Sequence, residues 1–263
     1  WSLPTMAPLA HTLALLAMAV ATAAIEVKPL DMALDSFDDQ YLTCHVDMSA
    51  KLLEFQFPDF IKNDNYFKSW VIARDVWQKR GSKSSPLTPE QAIALMAYTM
   101  NFTKLYKAFN DATHVAGGSR WEYRNKFHFK SLHFLLTTAL QKLRLPKDCR
   151  VVYRGMAGVS FHTEVGKEVR FGKFTSTSLS ETVARGYGQD TMFKVLTCHG
   201  ADIQKFSYDP SEKEVLIPPF ETFKVIKEDK EKKQIELQSN GTFSNYDCEW
   251  LKGDIMGTAR GDW

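Results

Sequence analysis

The chain has 263 residues, a formal net charge of +2, 44% hydrophobic residues and 24% charged residues. This composition is that of an ordinary globular protein, and the length suits one large domain or two tightly packed lobes. The near-neutral charge and the lack of a basic stripe in the sequence give no electrostatic case for a nucleic-acid-binding protein.

The N-terminal segment has the features of a secretory signal peptide. Residues 9–24 contain few polar groups, form an apolar run too short to span a membrane, and include Ala21-Thr22-Ala23, which fits the A-x-A rule for signal peptidase. We expect residues 1–23 to be this signal peptide, although the usual positive charges before the apolar run are missing. Met6 is then the start residue, and residues 1–5 lie upstream of it.

Residues 45 to about 145 show helical periodicity. The sequence Thr88-Pro89-Glu90-Gln91 predicts a helix start, because Thr caps a helix, Pro suits its first position and Gln completes a capping box. Apolar residues then recur at helical spacing as far as Leu105. Two further helices are predicted over residues 70–77 and 132–143.

From Cys149 onward, short β-type runs replace the helical pattern. The predicted strands are residues 151–153, 172–178, 191–197, 214–217, 222–226 and 234–237. A helical part over about 30–147 followed by a β part over about 148–250 predicts an α+β fold, and we expect 24–263 to form a single domain. The sequence lacks the alternating βαβ pattern and the Gly-rich phosphate loops of nucleotide-binding parallel sheets.

The mature chain carries four cysteines, which are Cys44, Cys149, Cys198 and Cys248. An even number of cysteines in an exported protein indicates two disulfides, for which three pairings are possible. A zinc site is the alternative interpretation. It is disfavoured because the sequence contains no C-x-x-C spacing.

Because exported proteins can be N-glycosylated, the two sequons in this sequence are candidate glycosylation sites. Asn240 lies in a turn-like Ser-Asn-Gly context and is the better acceptor, whereas Asn101 falls inside a predicted helix and is the weaker one. No hydrophobic tail is present at the C-terminus, so we expect no transmembrane or lipid anchor. The protein is therefore expected to be extracellular, either secreted or stored in the lumen of a secretory granule.

Two polar segments of the β half can contact a phosphate and a sugar. In Val152-Tyr153-Arg154-Gly155 a strand ends in Arg, whose rigid fork matches a phosphate, and Gly removes the side chain that would block close approach. Further along, strand alternation points Ser176 and Ser178 to one face, where hydroxyls can hold a carboxylate or a ribose hydroxyl. Taken singly, these segments are better explained as a surface turn and an edge strand.

Two carboxylates stand directly before an apolar run in Glu212-Lys213-Glu214-Val215-Leu216-Ile217. Because side chains alternate along a strand, Glu212 and Glu214 are expected to share one face while Lys213 points to the other. A pair of carboxylates suits a core poorly but can stabilise a developing cation. By itself, an E-x-E motif usually marks a solvent-exposed face. Its value as evidence for a functional site therefore depends on the segments around Arg154 and Ser176.

Together, Tyr-Arg-Gly, Ser-Thr-Ser and Glu-x-Glu-Val-Leu-Ile-Pro-Pro resemble the motif set of the vertebrate ecto-mono-ADP-ribosyltransferases, an arginine–serine–glutamate class. The resemblance covers roughly residues 30–250 and includes Ala97-Tyr98-Thr99. It implies NAD as co-substrate, no metal, and a helical lobe packed on a mixed β-sandwich. It also implies the nested disulfides Cys44–Cys248 and Cys149–Cys198.

The resemblance assigns roles to individual residues. Arg154 is expected to brace the phosphates and ribose of NAD, and Gly155 to offer its backbone to nicotinamide. Ser176 orients the catalytic glutamate, which is Glu214, and Glu212 accepts the arginine substrate. The weaker candidates for NAD contacts are Tyr98, Gln189 and Ser207.

The implied activity is that of a glycosyltransferase acting on NAD or NADP. It moves ADP-ribose to arginine in proteins, or to small guanidino compounds, and releases nicotinamide through an oxocarbenium-like transition state. The resemblance also suggests a monomer. Two alternatives remain: an NAD glycohydrolase, which Glu212 disfavours because water needs no guanidinium-binding group, and an inactive secreted binding protein with Arg260-Gly261-Asp262 as an adhesion handle.

Overall fold

The computed structural model describes residues 24–81, 85–145 and 148–253. The helices are α1 (His45–Ala50), α2 (Leu52–Lys62), α3 (Asp64–Arg80), α4 (Pro89–Tyr98), α5 (Leu105–Ala116), α6 (Arg120–Asn125), α7 (Lys130–Leu143) and α8 (Glu181–Gly186). The strands are β1 (Glu26–Pro29), β2 (Arg150–Met156), β3 (Val159–His162), β4 (Glu168–Val169), β5 (Thr175–Ser178), β6 (Thr191–Thr197), β7 (Ala201–Asp202), β8 (Glu214–Ile217), β9 (Glu221–Asp229) and β10 (Gln234–Thr242). The predicted signal peptide and the Arg-Gly-Asp triplet lie outside these ranges.

The strands form a mixed sheet with a discontinuity near its centre. Eight of them run in the order β4-β9-β10-β6-β2-β5-β8-β7, while β1 pairs with β3 separately. A single residue pair, Tyr153 with Ser178, joins β2 to β5 in the described chain. The strands therefore part just beyond this pair, and β2 and β5 are the strands that carry Arg154 and Ser176.

The helical part is organised around α4 and α7, which are buried along most of their length. The capping box predicted at Thr88 is present, because its hydroxyl accepts from the Gln91 amide while the Gln91 side chain accepts from the Thr88 amide. At the other end of α4, the Tyr98 hydroxyl donates to the Phe174 carbonyl oxygen at 2.9 Å. This bond joins the buried helix to the segment leading into β5.

The periodicity predicts one helix from Thr88 to Leu105, but this helix ends earlier in the structure. α4 ends at Tyr98, a 3₁₀ helix follows over Asn101–Thr103, and Lys104 adopts a left-handed backbone with φ 55°. The Thr99 and Thr103 hydroxyls bond to nearby backbone carbonyl groups, and such local bonds compete with helix continuation. The interruption places the exposed Asn101 at the start of this 3₁₀ helix instead of inside a continuous α-helix.

The turn that the sequence suggests at Ser239-Asn240-Gly241 does not form. Asn240 lies within β10, where the pairing with β9 is irregular between Ser239 and Gly241. Gly241 has φ 109°, a conformation that Gly adopts readily, and the turn-like signal therefore marks a β-bulge. The Asn240 side chain is exposed and donates to the Glu168 carboxylate at 3.1 Å.

Both disulfides follow the nested pairing. Cys44 bonds to Cys248 and Cys149 bonds to Cys198, which confirms the pairing that the family resemblance implied. The first bridge ties the segment before α1 to the end of the described chain, across 204 positions. The buried Asp39 carboxylate supports the same junction by accepting from the Glu249 amide at 2.9 Å.

Removal of the longer bridge should destabilise the fold. We expect Cys44→Ser combined with Cys248→Ser to lower the free energy of unfolding by about 2–5 kcal/mol, because the bridge restricts a long loop in the unfolded chain. Urea unfolding followed by tryptophan fluorescence measures the change. The Cys149→Ser, Cys198→Ser variant is the matched control, and its smaller loop predicts a smaller loss. Equal unfolding midpoints for the longer-bridge variant and wild type would contradict this expectation.

Candidate active site

A cleft of about 500 Å³ opens between the helical part and the gap that separates β2 from β5. The five residues to which the sequence motifs assign the main roles all line it: Arg154, Gly155, Ser176, Glu212 and Glu214. The helical part contributes the wall formed by Tyr98, Asn101 and their neighbours. Residues far apart in the sequence therefore meet around one cavity large enough for a nucleotide-sized ligand.

Arg154 lies on β2 with its guanidinium at the base of the cleft. Its Nη1 donates to the Ser176 carbonyl oxygen at 2.6 Å, so the side chain crosses the gap between the two strands. Burial lowers the pKa of Arg154, while the nearby Tyr98 and Glu214 act in the opposite direction. A guanidinium fixed at one end in this way presents its remaining N–H groups as a preorganised anion-binding fork.

At Gly155 the backbone of β2 passes close to the segment around α8. A Cβ atom there would lie 2.2 Å from the Ala184 carbonyl oxygen and 2.3 Å from that of Gly188. Neither backbone oxygen can withdraw easily, so any other residue would displace the α8 segment. Glycine at this position keeps the cleft wall thin and its backbone accessible.

Glu214 is the first residue of β8 and is only 4% exposed. The Ser207 hydroxyl donates to its Oε2 at 3.3 Å, and the Ser176 side chain also hydrogen-bonds to this carboxylate. Burial raises the pKa of Glu214 to about 7; the charge of Glu212 acts in the same direction, and the serine bonds and Arg154 oppose it. The site therefore holds a carboxylate that is close to its titration midpoint at neutral pH.

Glu212 shares the cleft with Glu214 for a different reason from the predicted strand alternation. Only Glu214 lies in β8, whereas Glu212 ends a 3₁₀ helix over Pro210–Glu212. Between them Lys213 has a left-handed backbone with φ 49°, and this turn directs both carboxylates to one cavity. The Ser178 hydroxyl donates to the Glu212 carbonyl oxygen at 2.7 Å and holds the turn against β5.

Two residues that the motifs do not include hold the Glu212 carboxylate. The Tyr187 hydroxyl donates to Oε1, and the Asn101 side-chain amide donates to the same oxygen at 3.2 Å. Neither contact could be predicted from the sequence, because Tyr187 lies 25 positions and Asn101 lies 111 positions from Glu212. No local pattern reports such distant pairs.

The three weaker candidates occupy different places. Tyr98 lines the cleft, where its hydroxyl accepts from the Asn110 side chain at 3.1 Å. Ser207 is fully buried behind Glu214 and contacts that carboxylate instead of the open cavity. Gln189 lies outside the lining of this cleft and accepts from Arg185.

Neither a metal-ion cluster nor a membrane-spanning helix occurs among the described residues. Within 24–81, 85–145 and 148–253, no three His, Cys, Asp or Glu side chains are grouped so as to hold a metal ion. Over the same residues, no helix has the length and apolar character needed to cross a membrane. The predicted lack of a lipid anchor stays a prediction, because residues 254–263 are outside the described chain.

Comparison with known proteins identifies close relatives over most of the sequence. NAD(P)(+)--arginine ADP-ribosyltransferase 1 of Gallus gallus is 48% identical over 229 residues, which span 85% of this chain and 73% of that protein. GPI-linked NAD(P)(+)--arginine ADP-ribosyltransferase 1 of Mus musculus is 45% identical over 240 residues, with 85% and 74% of the two chains covered.

Solved structures show the same fold. A crystal structure of the mono-ADP-ribosyltransferase ART2.2 matches with a TM-score of 0.76 at 35% identity, covering 85% of this chain and 98% of that one. Structures of two ART2.2 mutants, in complex with NADH and with NAD, match with a TM-score of 0.75. The α+β fold and the family resemblance are therefore confirmed. Since the family model for NAD:arginine ADP-ribosyltransferase also matches residues 30–245, the chain belongs to that family.

Proposed function

We propose that this protein transfers ADP-ribose from NAD to arginine side chains of proteins, or to small guanidino compounds, and releases nicotinamide. The observation that carries the proposal is the buried Glu214, held beside Arg154 and Ser176 at the base of one cleft while Glu212 lies at its mouth. The arginine ADP-ribosyltransferases among its relatives, and the NAD complex of an ART2.2 mutant, support it.

Glu214 and Arg154 have complementary roles in breaking the bond between nicotinamide and ribose. As that bond breaks, its electron pair leaves with the nicotinamide nitrogen and positive charge develops on the ribose. The ionised Glu214 stabilises this charge, and a preorganised group of this kind commonly contributes about 3–4 kcal/mol. Arg154 holds the diphosphate, so that the ribose stays beside Glu214 during the reaction.

Glu212 selects arginine as the group that receives ADP-ribose. Its half-buried carboxylate at the cleft mouth can pair with a guanidinium and accept one of its protons. A guanidinium nitrogen that has lost a proton forms the new bond to the ribose carbon as nicotinamide leaves. Water is the competing acceptor, and its use would give NAD hydrolysis.

Incubation with labelled NAD and agmatine tests the proposal, because agmatine carries a guanidinium without the rest of a protein. Labelled agmatine is the expected product. Free ADP-ribose in place of labelled agmatine would show an NAD glycohydrolase instead. If no NAD were consumed, the catalytic assignment would be wrong and the inactive binding protein would be favoured.

The reaction should depend on pH through Glu214. Its ionised form is the active one, and burial raises its pKa to about 7, so kcat/KM for NAD should fall about tenfold between pH 8 and pH 6. Rates of NAD hydrolysis without acceptor give the profile. In Glu212→Gln the midpoint should move to lower pH, because Glu212 is one of the charges that raise this pKa. A midpoint near 4.5, or a flat profile, would contradict the assignment.

We also propose that the protein is exported after loss of its N-terminal segment and carries its glycan on Asn240. Both asparagine amides donate to a carboxylate, but Asn240 bonds to Glu168 outside the cleft lining, whereas Asn101 bonds to Glu212 at the cleft mouth. In protein secreted from animal cells, Asn240→Gln should remove the mass shift caused by glycosidase treatment, and Asn101→Gln should leave it. The reverse pattern would overturn this choice.

A further inference from the structure

We propose that Tyr187 and Asn101 are positioning residues that fix the Glu212 carboxylate for the incoming guanidinium. The inference rests on the arginine transfer proposed above and adds the residues that set the affinity for its acceptor. Both side chains line the cleft, and both donate to the same oxygen, Glu212 Oε1.

The two donors reach Glu212 from opposite sides of the cleft mouth. Tyr187 directly follows α8 in the β part, and Asn101 begins the 3₁₀ helix in the helical part. The Asn101 side chain lies close enough to the Tyr187 hydroxyl to lower the pKa of Tyr187, so the two donors are neighbours at one carboxylate oxygen. Both parts of the protein therefore determine where this carboxylate lies.

The phenol of Tyr187 remains a donor at neutral pH. Partial burial and the contact with the Glu212 carboxylate both raise the pKa of Tyr187. A tyrosine that stays protonated can continue to donate to an ionised carboxylate, and hydrogen bonds to charged groups are stronger than those between neutral groups. Tyr187 is 52% exposed, so the surrounding protein covers only about half of it. The hydrogen bond to Glu212 therefore fixes the position of its hydroxyl group.

The geometry leaves one oxygen of Glu212 for the substrate. A carboxylate oxygen has two lone pairs, and Oε1 uses both for Tyr187 and Asn101. Among the described residues, Oε2 takes part in no hydrogen bond or ion pair that would compete with a ligand. Ser178 holds the backbone of Glu212 in place, so the remaining motion of this residue is rotation of its side chain. The two donors to Oε1 restrict this rotation. Oε2 is thus presented in a fixed direction to a guanidinium entering the cleft.

Steady-state kinetics of Tyr187→Phe and Asn101→Ala test the inference. Protein from a bacterial periplasm forms disulfides and carries no N-glycan, so loss of the Asn101 sequon has no effect of its own. Each variant should raise the KM for agmatine about tenfold, the loss expected for one hydrogen bond to a charged group. The KM for NAD should rise by a clearly smaller factor in both.

Tyr208→Phe is the matched control for Tyr187→Phe. Tyr208 is another partly exposed tyrosine of this region, 38% accessible, whose ring contacts Phe102 and which is not among the cleft-lining residues. Its KM for agmatine should equal that of wild type. Thermal unfolding of each variant checks that the fold is retained.

The outcomes separate this inference from the proposed function. An unchanged KM for agmatine in both variants would overturn the positioning role. An equal rise in the two KM values would overturn it as well, because it would show that these residues act on NAD binding or on the fold. If wild type failed to label agmatine, the proposed transferase activity itself would be wrong, whatever the variants did.

Discussion

Glu214→Gln should reduce both arginine transfer and NAD hydrolysis by about 100- to 1,000-fold, the loss seen when one preorganised stabilising group is removed from an active site. The substitution keeps the shape of the side chain and its ability to accept from Ser207. It removes the negative charge that faces the ribose as nicotinamide leaves. Release of nicotinamide measured at pH 8, with and without agmatine, gives both rates.

The same variant should not be less stable than wild type. The pKa of Glu214 is 4.5 when unperturbed and about 7 in the folded protein, so the folded state binds more protons over this interval. The contribution of Glu214 to stability therefore falls as the pH rises from about 4.5 to about 7, and at pH 8 the buried charge opposes folding. Glu214→Gln should unfold at an equal or higher temperature at pH 8. A lower melting temperature together with lost activity would indicate damage to the fold instead of lost catalysis.

Local signals in the sequence were sufficient for the elements that carry the site. The Thr88 capping box is a short-range arrangement, and it forms as predicted at the start of α4. The apolar run after Glu214 is equally local, and β8 covers the predicted residues 214–217.

The geometry of Glu212 could not be predicted, because distant residues impose it. Lysine seldom adopts a left-handed backbone, so nothing in Glu212-Lys213-Glu214 distinguishes a turn from a strand. The Ser178 hydroxyl, 34 positions away, holds this turn in place. The prediction that both carboxylates face one side is therefore correct, but the turn at Lys213 is the cause and not strand alternation.

The two carboxylates differ in environment more than their proximity in sequence suggests. Glu214 is buried against Ser207 and beside Arg154, whereas Glu212 lies at the mouth among donors from both parts of the protein. Two carboxylates in such different surroundings can divide the steps of a reaction between them. Glu214 suits the step in which charge develops deep in the cleft. Glu212 suits recognition and deprotonation of an acceptor that arrives from solvent.

This division predicts that Glu212→Gln separates the two activities. Transfer to agmatine should fall by about 100- to 10,000-fold, because the amide neither pairs with a guanidinium as a carboxylate does nor accepts its proton. NAD hydrolysis should persist, since Glu214 and Arg154 are unchanged. At pH 6 hydrolysis should equal or exceed that of wild type, because loss of the Glu212 charge lowers the pKa of Glu214.

The matched control is Glu181→Gln, which neutralises a carboxylate of α8 that pairs with Arg185 and is not among the residues that line the cleft. Its ratio of transfer to hydrolysis should match wild type, so any change in Glu212→Gln can be assigned to the position of the charge and not to the net charge of the region. Assays with agmatine and with a protein acceptor give that ratio. Equal losses of transfer and hydrolysis in Glu212→Gln would mean that both carboxylates serve bond cleavage, and the acceptor role of Glu212 would have to be abandoned.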